Sequence, residues 1–260
     1  MIKRIVLLPD FHYPHINRPA VDAVFQFVKW FKPHAINILG DAMNMDSVNH
    51  WKEARGSKKY FEGKRIKKEY EDFDKDILSP LEKIIPKDCD KVFMGGNHED
   101  WINGLIEKNP QLEGLVEVEL ALQLKKRNWE WIPWINYNED TGNYERGIKR
   151  YGKLLVFHGQ YTNKYHSAKT ADTHSKSCIY AHTHDIQLYT KVTVDDYKGY
   201  HTAQSIGCLC NTSPDYMRGR MNRWVNAFGI VYMQEDGHYN IYVPVIINGK
   251  FVFNGKMFGK

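Results

Sequence analysis

An α/β fold with a ligand site at the carboxyl ends of its strands is predicted by three features of the sequence. Short apolar runs at residues 2–8, 35–39, 91–94 and 153–157 alternate with segments of helical periodicity, the pattern of strands buried on both faces beneath covering helices. Each of these runs ends in Asp, His, Asn or Gly. Open α/β sheets place ligands outside the carboxyl ends of their strands.

The first unit is the clearest. Residues 2–8 form a continuous apolar-rich run ending in Pro9-Asp10-Phe11-His12. Pro19 suits the first turn of a helix, and Val21, Val24, Phe25, Val28 and Phe31 give that helix an apolar face before Pro33 stops it. Residues 35–39 are a second buried strand ending in Gly40-Asp41. Residues 50–68 then change character: basic side chains interleave with Trp51, Tyr60 and Phe61. This segment reads either as a solvated helical face or as a basic, aromatic flap holding an anionic substrate. Residues 70–85 continue as an amphipathic helix, and the strand at 91–94 leads into Gly95-Gly96-Asn97-His98-Glu99-Asp100.

Residues 101–124 read as helical, interrupted at Asn109-Pro110. Trp129, Trp131 and Trp134 are expected mainly in the core, with base stacking as the other reading. Residues 138–147 are polar and turn-rich. The strand at 153–157 ends in His158-Gly159, a helix is expected over 164–175, and a short strand at 178–180 ends in Ala181-His182-Thr183-His184. Beyond it the chain is β-rich, with candidate strands at 187–194, 200–207, 228–233 and 238–245, and hairpin signals at Asp236-Gly237 and Asn248-Gly249. The chain reads as a single domain, 1–260, with inserts near 50–86 and 101–150.

Composition narrows the class. The 260 residues are 42% hydrophobic and 26% charged, an ordinary globular balance with length enough for a sizeable core. No run approaches a membrane span and no signal peptide is recognisable, so a cytoplasmic protein without membrane partners is expected. The net charge of +5 leans mildly toward a polyanionic partner. Cys89, Cys178, Cys208 and Cys210 show no CxxC pair and read as buried thiols.

Five strand ends carry Asp10-x-His12, Gly40-Asp41, Gly96-Asn97-His98, His158-Gly159 and His182-x-His184. Buried aspartates and histidines are costly unless paired or metal-bound. Their nitrogen and oxygen donors suit manganese, taken as the first expectation, or zinc, iron or nickel. They are too many for one tetrahedral ion. Two ions about 4 Å apart sharing a carboxylate form the two-metal hydrolytic arrangement.

In this order the five blocks resemble the calcineurin-like metallophosphoesterases, over roughly residues 1–190. The resemblance implies a four-layer αββα sandwich of two mixed sheets flanked by helices. It implies a first metal on Asp10, His12 and His184, a second on Asn97, His158 and His182, and Asp41 between them. A hydroxide bridging the metals would attack phosphorus, with His98 as general acid over the substrate phosphate. Asn44 stands where the family often has a second aspartate, Ala181 replaces a glycine, and the interval from Asp41 to Asn97 is long because of the basic insert. Glu99 and Asp100 are assigned to orienting His98 or to the helix N-terminal charge.

Substrate groups are sought among Arg218, Arg220 and Arg223, within residues 216–224, and at His15 beside His12. With the basic insert and its aromatics, they favour a phosphodiesterase acting on nucleic acid, DNA or RNA, or on nucleotides. A phosphomonoesterase on a small molecule or phosphoprotein is the alternative. A non-catalytic scaffold would be expected to have lost ligands, and all seven are present with His98. Oligomeric state is not legible.

Overall fold

The computed structural model describes residues 2–193, 196–214 and 217–260. The first half runs β1 (Lys3–Leu8), α1 (Arg18–Phe31), β2 (Ala35–Leu39), α2 (His50–Ala54), α3 (Ile66–Phe73), α4 (Ser79–Glu82), β3 (Asp90–Met94), α5 (Asn97–Lys108), α6 (Val118–Ala121) and β4 (Trp129–Ile132). The second half runs β5 (Ile135–Asn138), β6 (Asn143–Arg146), β7 (Lys149–Tyr151), β8 (Leu154–Phe157), α7 (His166–His174), β9 (Cys178–Tyr180), β10 (Leu188–Thr193), β11 (Asp196–Ser205), β12 (Gly229–Met233), β13 (Tyr239–Tyr242), β14 (Phe251–Phe253) and β15 (Lys256–Phe258).

A six-stranded sheet has the order β13-β12-β1-β2-β3-β4, and a five-stranded sheet the order β10-β11-β9-β8-β7. Strands β1 to β4 are parallel, as are β8, β9 and β11. β12 joins β1 antiparallel, so both sheets are mixed. Side chains alternate across a strand, and the two core clusters follow that alternation. Val6, Leu8, Ile36, Ile38 and Phe93 pack with α1 and the helices of the first half. Ile5, Leu7, Leu39, Val92 and Met94 instead meet Leu154, Val156 and Ile179 of the second sheet. Phe157 and Tyr180 point the other way, onto His174 and His166 of α7. The layers are therefore helices, sheet, sheet and helix, the αββα sandwich.

Local chemistry accounts for the long elements. The side chain of Asn17 caps α1 by accepting from the Ala20 N–H at 3.2 Å, and Lys32 closes the helix in the left-handed conformation. A π-helical turn at Asp74–Leu78 joins α3 to α4, so the helix expected over 70–85 runs from 66 to 82. The helix expected from residue 101 begins at Asn97, which puts Asn97 and His98 in its first turn, and it breaks at Asn109-Pro110 as the sequence indicates. Four strands lie between residues 129 and 151, and one of them, β6, falls within the polar, turn-rich stretch 138–147. β10 reaches Thr193, and residue 194 of the expected strand lies outside the described residues. Asn254-Gly255 turns β14 into β15 with both residues at positive φ, a hairpin signal not used above. All four cysteines are buried and unpaired by disulfides. Among the described residues no helix is long and apolar enough to cross a membrane.

The terminal hairpin closes an aromatic cluster centred on Phe27, whose ring lies 4.7 Å from Phe31, 5.3 Å from Phe228 and 5.3 Å from Phe258. Phe27 is fully buried. Phe27→Ala is expected to cost about 3–5 kcal/mol of stability, measured as a shift in the urea midpoint, while leaving the strand ends of the candidate site in place.

Candidate metal centre

The carboxyl ends of β1, β2, β3, β8 and β9 converge on one point between the sheets. Asp10, His12, Asp41, His182 and His184 all take positive φ, between 41° and 70°. Such conformations cost roughly 1–3 kcal/mol each away from glycine. The strands stop abruptly here, and every turn presents a donor inward. The turns also approach one another closely. A Cβ on Gly96 would lie 2.2 Å from Asp41 Oδ1, and one on Gly40 would lie 2.7 Å from His158 Nδ1. Glycine at both positions is what allows β2 and β3 to bring their ends together.

Two donor groups result. Atoms of Asp10, His12, Asp41 and His184 lie within 4.8 Å of one another, as do atoms of Asp41, His158 and His182. Asp41 belongs to both. Asn97 Oδ1 completes the second group at 3.2 Å from His158 Nε2. Two ring nitrogens, His12 Nε2 and His184 Nε2, are only 3.0 Å apart, and Asp10 Oδ1 and His182 Nδ1 are buried without a hydrogen-bond partner. Buried polar atoms are normally satisfied. Lone pairs crowded on a common centre and donors left unpaired there fit a pair of divalent cations.

The outward nitrogens fix the ring orientations. His158 Nδ1–H donates to the Leu39 carbonyl at 2.7 Å, which leaves the Nε2 lone pair facing inward. His12 Nδ1 lies 3.1 Å from Asn44 Oδ1, and Asn44 Nδ2 donates to Asp46 Oδ1 at 2.6 Å. Asn44 therefore supports His12, and a carboxylate stands behind it, at Asp46. Cys210 Sγ packs 3.9 Å from His184 Nδ1.

Glu99, expected to orient His98 or to complement the helix N-terminus, stands at that N-terminus and also ties two strand ends together. It is buried in the first turn of α5, and its carboxylate accepts from the N–H groups of Asp41 at 2.9 Å, Gly96 at 2.8 Å and Met43 at 3.0 Å. It fastens the end of β2 to the end of β3. Burial and the neighbouring Asp41 push its carboxyl up to about 7, opposed by the N–H groups it accepts from. Asp100, given the same two expectations, lies in the first turn of α5 and accepts from Asn103 Nδ2 at 2.9 Å.

His98 is held apart from the ligands. Its backbone N–H donates to Asp41 Oδ1 at 2.9 Å, and its ring Nδ1–H donates to the Asn44 carbonyl at 2.9 Å. Nε2 is the nitrogen left for a substrate, 4.0 Å from Asp41 Oδ2. The indole of Trp101 covers the ring at 4.0 Å. The cavity above the donors, about 400 Å³, is lined by His98, Lys52, Arg55, Tyr60, Arg220 and Trp224 among others. The basic insert thus contributes to its wall. Tyr60 Oη donates to Asp46 Oδ1, and Lys64 lies 3.4 Å from Asp46.

The remaining candidates separate. Arg220 lines the cavity. Arg223 approaches Asp185 at 3.8 Å beside a neighbouring depression. Arg218 is exposed at positive φ, and Tyr216 of the same stretch lies outside the described residues. His15 faces Asp46 at 3.3 Å rather than the cavity.

Protons balance charge in the cluster of side chains. Burial alone would lower His158, but Asp41 raises it to about 9, and Asp10 likewise raises His184 to about 9 against its burial. Burial and neighbouring imidazoles hold His12 well below its usual range and lower His182 to about 3. Below about pH 9, cations entering the site must displace protons from His158 and His184. Apparent manganese affinity is therefore expected to fall as pH drops from 9 toward 6.5, with proton release seen by calorimetry in buffers of different ionisation enthalpy. Asn44→Ala, which removes the acceptor behind His12, is expected to weaken metal binding about 10–100-fold in the same titration.

No family model matches the chain. The gene 54 protein of Mycobacterium phage D29 is 24% identical over 271 residues, covering 98% of both chains. Its namesake from Mycobacterium phage L5 is 24% identical over 273 residues and covers 99% of both. Among solved structures, Vps29 from Entamoeba histolytica complexed with Zn+2 aligns with a TM-score of 0.46 at 11% identity, covering 96% of both chains. Vps29 from Chaetomium thermophilum aligns at 0.40 and 9% identity, covering 94% of this chain and 97% of that one. With its two mixed sheets between helices and its donors at their carboxyl ends, the chain is an αββα sandwich of the kind that the resemblance in its sequence implied.

Proposed function

We propose that the protein is a two-metal phosphodiesterase acting on nucleic acid or nucleotides. The observation that carries the reading is the pair of donor groups sharing Asp41 beneath a cavity walled by Lys52, Arg55 and Arg220. Asp10, His12 and His184 would hold one ion and Asn97, His158 and His182 the other, with Asp41 in reach of both donor groups. Such ions supply hydroxide near neutral pH and offset phosphate charge. Lys52, Arg55 and Arg220 draw in and orient the anionic ester. The Asn44 carbonyl holds His98 by Nδ1–H and leaves Nε2 to face the ester; as general acid the ring acts as the imidazolium and gives its Nε2 proton to the departing oxygen. Manganese is the first metal to supply.

A panel of single- and double-stranded DNA, RNA, cyclic nucleotides and phosphomonoesters, with manganese added, tests the reading. Cleavage of a nucleic acid or nucleotide diester is expected. Hydrolysis confined to monoesters would replace the diesterase with a phosphatase, and no hydrolysis at all with metals bound would leave a scaffold. His98→Ala is expected to lower kcat about 10²–10⁴-fold while both ions still bind. Undiminished activity in that variant would remove His98 as general acid.

A further inference from the structure

A second cleft, about 670 Å³, opens beside the metal cavity and shares Trp51, Asn97 and Trp101 with it. One wall is a single stripe of α5. Asn97, Asp100, Trp101, Gly104, Leu105 and Lys108 line it, at the three- and four-residue spacing of one helix face. The stripe starts at a candidate metal ligand and runs outward for about 16 Å at 1.5 Å per residue. Val48 and, from the insert, Trp51 and Phe61 line the cleft as well, together with Trp134. Lys108 reaches Glu53 of α2 at 2.8 Å.

Two details indicate what the cleft is shaped to hold. Gly104 sits inside α5, where glycine is among the poorest helix formers. A Cβ built there meets nothing within 4 Å, so neither packing nor a turn requires the glycine, and its lack of a side chain widens the cleft. Asp100 supplies a half-buried carboxylate among indole, phenyl and aliphatic groups. The lining is mainly apolar, with Asp100 set among Trp51, Phe61, Trp101 and Leu105 and further polar groups from Ser47, His50, Glu53, Asn97 and Lys108, and apolar walls with an acceptor between them suit a planar ring carrying N–H donors.

We propose that this cleft is the base-binding subsite of the enzyme. It takes the nucleobase of a nucleoside attached to the phosphate, with Asp100 accepting from ring or exocyclic N–H. The assignment rests on the phosphodiesterase reading above and adds the part of the substrate that is recognised. Gly104 is then a specificity position, remote from the reacting atoms.

The test compares two esters with the same leaving group, thymidine 5′-(p-nitrophenyl phosphate) and ethyl p-nitrophenyl phosphate, in the manganese-loaded wild type and in Gly104→Leu. The wild type is expected to favour the thymidine ester at least tenfold in kcat/KM. Gly104→Leu, which fills the cleft, is expected to abolish that preference and leave the ethyl ester unchanged. Thymidine binding to the protein without added metal, read by quenching of tryptophan fluorescence, should weaken at least tenfold in the same variant. Gly104→Ala controls for helix stability and should melt no lower than wild type. Equal use of both esters by the wild type, or a preference that survives Gly104→Leu, overturns the subsite and leaves the hydrolase standing. An equal loss on both esters in the variant shows that the cleft takes the leaving group instead, and also overturns it. Failure to hydrolyse either ester with metals bound, while thymidine still quenches in the wild type and not in Gly104→Leu, sinks the hydrolase and keeps the subsite.

Discussion

The buried carboxylate of Glu99 is the contact on which the site depends. Strands β2 and β3 are neighbours in one sheet, yet their ends must leave it in irregular turns to present Asp41 and Asn97. Irregular backbone inside a protein leaves N–H groups unpaired, each costing about 1–3 kcal/mol. Glu99 accepts from three of them at once, on Asp41, Met43 and Gly96. It sits in the first turn of α5, where the helix N-terminus favours negative charge. A single side chain thus fixes where β2 ends, where α5 begins and how far apart Asp41 and Asn97 stand. The bare glycines at 40 and 96 make that approach sterically possible.

The centre is assembled from parts that are each unfavourable alone. Five donors occupy left-handed backbone, ring nitrogens crowd together at 3.0 Å, and two buried polar atoms have no hydrogen-bond partner. Such a collection persists because the surrounding sandwich is rigid. Every strand that feeds it is buried on both faces, and the two cores lie on opposite sides of the first sheet. Concentrating strain where the sheets end leaves the rest of the fold regular.

Much of this was legible in the sequence because strand and site share a signal. A run such as residues 35–39 is apolar because both faces are covered, and the polar residue that ends it marks where cover stops. Asp10, His12, Asp41, Asn97, His158, His182 and His184 could therefore be listed before their positions were known. Supporting contacts were not legible in the same way. Glu99 and Asp46 act through backbone groups and an intervening amide, and no spacing rule links them to their partners. The arginine cluster divided because its three members project from an irregular segment, where sequence proximity does not imply a shared direction. The tryptophans divided too: Trp129 is buried and donates to Glu82, while Trp134 reaches the cleft.

Asp46 joins two regions that the chain keeps apart. It receives Asn44, which steadies His12, and also Tyr60 of the insert, with Lys64 alongside. The insert and the first ion's ligands therefore share one anchor. Free energy that seats Tyr60 acts on the same carboxylate that orients the His12 support, and such coupling is reciprocal. Three hydrogen bonds, through Asn44 and Asp46, thus tie the imidazole of His12 to the phenol of Tyr60 in the insert.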